Sequence, residues 1–290
     1  MKYCGIDLHS NNSVVAVIDD QDRVIAQKRL PNELAMIVRF LEPWAGELAG
    51  VVIESTYNWY WLVDGLQAAG FRVHLANTAA IKQYEGLKHS GDEPDARHLA
   101  QLLRLGILPT GTILPKEQRA VRDLARKRSQ LVRNRTAQIL AVENILSRQL
   151  GERMTSNQIK RLSAEDVDQI SIPADVGLAM KANVAVIATL NKQIGVIEKR
   201  LQQTVKPRKE YAWLTSTPGI GQALATTILL ETGPIDRFAS VGNYASYARC
   251  VDSVRKSNQK KKGEGNVKNG NKYLQSRGQT ILRAQEGKDE

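Results

Sequence analysis

The chain has 290 residues, of which 42% are hydrophobic, enough to bury a real core in two domains or one large one. Its net charge of +11 and pI near 9.6 make a polyanion the leading partner. No apolar run reaches the length of a membrane span, and the N-terminus lacks the apolar core of a signal peptide, so a cytoplasmic protein without membrane contact is expected. Cys4 and Cys250 lie too far apart in sequence to suggest a disulfide framework or a zinc motif. His9, His74, His89 and His98 show no metal-binding spacing and read as ordinary surface or core residues.

Residues 2–30 predict three short, antiparallel strands with turns at Ser10–Asn12 and Asp19–Asp22. A helix follows Pro31-Asn32, with Leu34, Ile37, Val38 and Leu41 at helical spacing. Residues 50–54 form a buried strand ending in Glu54, residues 58–69 a helix stopped by Gly70, and residues 71–75 another strand. A further helix runs from Asp92 to Leu105, with Ala96, Leu99, Leu102 and Leu103 on one face. This β-β-β-α-β-α-β-α order is that of a ribonuclease-H-like α/β domain, expected over residues 1–112.

Four acids fall at telling points in that order. Asp7 lies in the first strand, Glu54 at the carboxyl end of the fourth, and Asp92 and Asp95 at i, i+3 on the last helix. Open α/β sheets place their sites at the carboxyl ends of strands. Four converging carboxylates repel one another unless divalent cations neutralise them, and hard oxygen donors favour Mg2+ or Mn2+. Two such ions, roughly 3.5–4 Å apart, serve phosphoryl transfer. Taken singly, Asp92 could equally cap a helix after Ser90-Gly91.

Residues 107–115, with two prolines and one glycine, read as a linker. Two long helices are expected at 116–150 and 174–205, within a helical region of residues 113–208. The second repeats Val184, Ile187, Leu190, Ile194, Ile197 and Leu201 at three- and four-residue steps, which fits an antiparallel coiled coil, a dimer seam or a simple helical hairpin. Arg119, Arg122, Arg126, Lys127, Arg128, Arg133 and Arg135 make the first strongly basic, either as a solvated face or as one that contacts phosphates.

A mostly α domain is expected over residues 209–274. Thr217-Pro218-Gly219-Ile220-Gly221 before an apolar helix at 222–232 is similar to a helix-hairpin-helix element, whose glycines (Gly219, Gly221) let backbone N–H groups approach a phosphate. Gly233 to Cys250 reads as helical after its Gly-Pro start. Residues 254–272 then read as a basic, glycine-rich loop holding Ser257 among Arg255, Lys256, Lys260, Lys261, Lys262, Lys268 and Lys272. That loop is either flexible or contacts phosphates and offers a nucleophilic hydroxyl.

Gly5-Ile6-Asp7-Leu8-His9, Ile53-Glu54-Ser55-Thr56 and Asp92-x-x-Asp95-Ala96, followed by Thr217–Gly221 and Ser257 to Leu274, resemble in order the motifs of the IS110 transposase family of insertion sequences. The resemblance spans residues 3 to about 274. It implies a Holliday-junction-resolvase-like DEDD site, a coiled-coil connection and a C-terminal domain with a catalytic serine, here Ser257. It further implies recombination of double-stranded DNA guided by a structured RNA, by a homodimer or homotetramer in the bacterial cytoplasm or nucleoid. Two departures stand out. Gln259 occupies a position where similar sequences carry glycine, and residues 275–290 form a polar tail where the family continues into helices, which reads as a truncated or frameshifted end. The alternatives are a DNA- or RNA-binding remnant without catalysis and a metal-dependent junction nuclease. An actin-like sugar kinase or ATPase, which also opens on a Gly-x-Asp strand, is weakened by the lack of a second glycine-rich phosphate loop.

Overall fold

The computed structural model describes residues 1–81, 92–251, 254–257, 260–264 and 270–275, and these fall into two compact units, residues 1–114 and residues 115 onward. Lys268 and the tail beyond Gln275 lie outside the described residues. No helix among the described residues is long and apolar enough to cross a membrane.

The first unit is built on a six-stranded sheet. Strands β1 (Lys2–Leu8), β2 (Asn12–Asp19) and β3 (Val24–Pro31) form the expected antiparallel meander. Helix α1 (Leu34–Leu41) leads to β4 (Leu48–Glu54), and α2 (Tyr60–Ala68) to β5 (Val73–Ala76), each strand parallel to β1. The short α3 (Thr78–Ile81), α4 (Asp92–Arg104) and β6 (Thr110–Gly111) complete the order β3-β2-β1-β4-β5-β6. β6 corrects the linker reading of residues 107–115. Two residues pair antiparallel with Leu75 and Ala76 through backbone groups alone, so no side-chain alternation announces them.

Alternation along the strands sorts the sheet into two buried faces. Cys4, Ile6, Leu8, Val15, Val17, Val51 and Ile53 face one way, against Ile37, Leu41, Leu62 and Leu66 of α1 and α2. Val14, Ala16 and Val52 face the other way, against Ala96 and Leu99 of α4. The central strands are therefore buried on both sides, which is why they read as continuous apolar runs.

In the second unit, α5 (Lys116–Leu150) and α8 (Ala174–Val205) form the long pair, with the small helices α6 (Ser156–Ile159) and α7 (Ala164–Asp168) between them. Arg128 faces Glu198 and Arg135 faces Asn191, so the two long helices run antiparallel within the chain. Ile139, Val142 and Leu146 pack on Met180, Val184 and Ile187, and Ile159 and Val167 of the small helices close the same core. Capping boxes at Thr155/Gln158 and Ser163/Asp166 start those two helices.

The remaining helices are α9 (Lys209–Ser216), α10 (Gln222–Thr232) and α11 (Val241–Tyr247), with one helical turn at residues 272–275. Tyr211, Ala225, Leu229 and Leu230 pack on Ala125, Leu201 and Val205. The helix expected from Gly233 to Cys250 is only partly present. A 3-10 turn occupies Ile235–Arg237, and α11 starts late because Ser240 caps it, accepting the amide of Asn243. The basic segment beyond it is a hairpin rather than a loop, β7 (Val254–Ser257) pairing antiparallel with β8 (Lys260–Glu264). Backbone pairing carries it where the lysine-rich composition predicts no strand.

Candidate active site: a carboxylate edge and a serine hairpin

Asp7 and Glu54 stand one residue past the last recorded parallel pair, Ile6↔Ile53, and so share a rung at the carboxyl ends of neighbouring strands. Their side is set by alternation. A Cβ on Gly5 would lie 2.8 Å from the Ala100 amide and 3.0 Å from Leu99 Cβ, so Gly5 faces α4, and Asp7, two residues on, faces it too. Val52 packs with Leu99, which places Glu54 on the same side.

Helix α4 runs antiparallel to β1. Toward its C-terminus Gln101 Nε2 donates to Asp22 Oδ2 at 2.6 Å and Arg104 Nη1 to the Asp20 carbonyl at 3.3 Å. Both acceptors sit in the β2–β3 turn, whose strand end Asp19 pairs with Lys2 at the far end of β1. The opening turn of α4, with Asp92 and Asp95, is therefore directed to the end of the sheet where Asp7 and Glu54 sit. The fold thus brings Asp7, Glu54 and Asp95 to one edge by three independent elements. Asp92 opens α4, and its side chain lies outside the described residues.

Asp7 is buried, 4% exposed, and its Oδ2 is 3.3 Å from Nε2 of His9. The His9 carbonyl accepts the side-chain amides of Asn32 at 3.0 Å and Asn58 at 2.9 Å. These two bonds tie the loops after β3 and β4 to the loop after β1. His9, Asn32 and Asn58 are absent from the sequence-based site, since only the Gly5-x-Asp7-x-His9 spacing touches it and the asparagines act across the sheet. Among the described residues, no three His, Cys, Asp or Glu side chains stand close enough to hold a metal ion by themselves.

In the second unit, Ser257 ends β7, paired across the hairpin with Lys260. Arg255 pairs with Gly263 and Lys256 with Lys261, and Lys262 lies in β8 between them; the side chains of the hairpin are outside the described residues. The turn between α9 and α10 holds Gly219 at φ +83°, a conformation that costs an L side chain about 1–2 kcal/mol. Gly221 caps α10 without a side-chain acceptor, so the first N–H groups of that helix face outward unsatisfied by the helix itself. Lys272 is exposed, its Nζ 5.3 Å from the Tyr273 ring.

The basic face expected on α5 is largely committed inside its own unit. Arg126 donates to both carboxylate oxygens of Glu231 at 2.6 and 2.7 Å, Arg128 donates to Glu198 at 2.9 Å, and Arg135 to Asn191 at 2.8 Å. Burial opposes the charge on Arg126, but the Glu231 carboxylate outweighs it and holds the guanidinium above its usual pKa. Arg119 is buried at 2% exposure, while Lys127 and Arg133 remain exposed. Helical periodicity turns Arg126, Arg128 and Arg135 toward the neighbouring helices, and a phosphate contact at Arg126 or Arg128 would break an existing pair.

Comparison with known proteins gives two domain matches. Residues 4–149 match the DEDD domain of IS110-type transposases, described as "Transposase", and residues 211–277 match a domain described as "Transposase IS116/IS110/IS902 family". A curated "Probable family 20 transposase" of Pseudomonas aeruginosa strain PAO1 is 23% identical over 282 residues, covering 94% of this chain and 80% of that protein. The "Transposase for insertion sequence element IS1111A" of Coxiella burnetii strain RSA 493 is 23% identical over 286 residues, covering 95% of this chain and 75% of that protein.

Proposed function

The chain belongs to the IS110 family of transposases, enzymes of DNA transposition and recombination whose DEDD domain implies a divalent metal ion, and from that premise we propose how its own residues divide the work. Asp7, Glu54, Asp92 and Asp95 are the metal-holding carboxylates, the ion being Mg2+ or Mn2+, and Ser257 is the nucleophile. The observation that carries this reading is the shared rung of Asp7 and Glu54 at the carboxyl ends of β1 and β4, with the acidic start of α4 directed to the same edge. An all-oxygen donor set of this kind suits a hard divalent cation. When bound, the cation neutralises the carboxylates and the charge that develops on a transferring phosphoryl group.

Strand cleavage is a transfer, not a hydrolysis. The Ser257 oxygen bonds to the scissile phosphorus as the bond from phosphorus to a deoxyribose oxygen breaks. The serine proton leaves to solvent or a base, and the departing oxygen takes up a proton. A second deoxyribose hydroxyl then attacks the phosphoserine, freeing the serine and rejoining DNA without loss of bond energy. Arg255, Lys256, Lys260, Lys261 and Lys262 stabilise charge on the phosphoryl group, and Gly219, Gly221, Lys268 and Lys272 hold the DNA or RNA backbone. A structured RNA guides the choice of site, and the working form is a homodimer or homotetramer through the long helices. Carboxylates alone would serve a junction nuclease; the second domain match, which spans Ser257, favours transfer.

The test is to trap the covalent complex on a nicked duplex bearing the element's terminus. A DNA adduct should form with Mg2+, map to Ser257 and vanish in Ser257→Ala and Asp7→Ala. An adduct that maps elsewhere ends the serine assignment, and full activity in chelator ends the metal assignment.

A further inference from the structure

Glu231 is a buried carboxylate, 3% exposed, near the C-terminal end of α10. Beyond the two bonds from Arg126, its Oε2 accepts Nδ2 of Asn271 at 2.7 Å. Its backbone carbonyl accepts the hydroxyl of Tyr247 at 3.0 Å. Asn271 and Tyr247 are bonded to each other as well. The Asn271 amide donates to the Tyr247 carbonyl at 2.6 Å, and its Nδ2 lies 3.0 Å from the Tyr247 hydroxyl. The Arg126 guanidinium in turn stacks 4.4 Å from the centroid of Tyr273.

The chain leaves this network at Tyr247, forms the β7–β8 hairpin, and returns to it at Asn271. Both feet of the segment that carries Ser257 are thus fastened at one residue, Asn271 to the Glu231 carboxylate and Tyr247 to the Glu231 backbone carbonyl. A buried ion pair is a poor device for stability alone, since apolar residues of equal volume often do as well. It is a good device for fixing a geometry, because its bonds are directional and costly to leave unmade. Helix α10 connects the two ends of the arrangement, starting at the Gly219–Gly221 turn and ending at the clamp, a rigid rod of about 16 Å.

We propose that Glu231 is a positioning residue for strand transfer, clamping both feet of the serine hairpin so that the strand carrying Ser257 is held at a constant place relative to the turn that opens α10. The proposal rests on the assignment of Ser257 as nucleophile. Glu231 touches neither DNA nor the reacting atoms; it acts through Asn271 and Tyr247.

Two variants of the full chain test it. Asn271→Ala removes the side-chain bonds to Glu231 and Tyr247. Tyr247→Phe removes one hydroxyl and keeps the ring against Phe238, so it folds even if the first does not. Three quantities are read: affinity for duplex DNA, the rate of adduct formation at saturating nicked duplex, and tryptic cutting at Lys260–Lys262 in the native state. Both variants should leave DNA affinity nearly unchanged, speed the tryptic cut, and slow adduct formation, by about tenfold for Asn271→Ala. Unchanged tryptic cutting in both variants overturns the clamp, as does faster cutting with an unaltered adduct rate. An adduct lost in Ser257→Ala but unaffected in both variants refutes the clamp and spares the nucleophile. An adduct kept in Ser257→Ala removes the serine assignment, and with it the reading that Glu231 positions that serine.

Discussion

Replacing Gly5 by alanine should disturb the carboxylate edge from behind. The added methyl would lie 2.8 Å from the Ala100 amide and 3.0 Å from Leu99 Cβ, and closer still to the Ala96 carbonyl oxygen. These are mainly backbone atoms of α4, so no side-chain rotation relieves the clash. A carbon needs about 3.5 Å to a neighbouring heavy atom, so α4 must retreat from β1 by more than about 1 Å. Overpacking of this kind costs about 1–3 kcal/mol. The helix carries Asp92 and Asp95, proposed above to hold the metal, and a misplacement of about 1 Å at a catalytic group can cost about 100-fold in rate. Urea unfolding followed by tryptophan fluorescence reads the first effect, because Trp44, Trp59 and Trp61 all lie in the first unit and only Trp213 in the second. Metal-dependent cleavage of the nicked duplex reads the other. Gly46→Ala is the control, since a Cβ there meets nothing within 4 Å. If Gly5→Ala unfolds like the control, the close approach of α4 to β1 is wrong. If it is destabilised yet cleaves at full rate, the position of α4 does not set the site.

Asp22 bonds Arg97 at 3.1 Å and Gln101 at 2.6 Å from a backbone at φ 67°, and should report the same helix from its other end. Asp22→Ala should lower stability by about 1–2 kcal/mol in urea unfolding, after allowing for partial exposure, and Asp22→Gly less, because glycine relieves the backbone. Gly219→Ala should weaken duplex DNA binding measured by titration, because the turn must leave its left-handed conformation; an unchanged Kd would remove this turn from the interface. The pKa of Asp19 reflects a contest: burial pushes it up, but the amides of Arg23 and Gln21 and the Arg23 side chain prevail and hold it below the usual carboxylate range. Its contribution to stability is full above the unfolded value of about 3.9 and is lost as pH falls through the lower folded value. Asp19→Asn should therefore flatten the acid limb of a stability-versus-pH curve and leave its slope near neutrality unchanged.

What the sequence determined by itself is whatever is written in local periodicity. The bounds of α5, α8 and α10 coincide with those read from apolar spacing, because a long helix repeats its signal many times within its own residues. The meander and its parallel successors were legible too, since central strands buried on both faces read as apolar runs between turn residues. The acids were legible as residues but not as an edge. That Asp7 and Glu54 share a rung depends on β1 pairing with β4 rather than only with β2, and that α4 points its acidic end to them depends on Asp22, which Gln101 meets across 79 residues of chain. The arginines of α5 show the same limit from the other direction. Their charge suggested a phosphate face, yet Glu231, Glu198 and Asn191, distant in sequence, claim three of them. β6 and the β7–β8 hairpin, held by backbone pairing, left no mark in side-chain pattern. Backbone hydrogen bonds and buried ion pairs are contracts between distant residues, and only the folded chain brings both parties together.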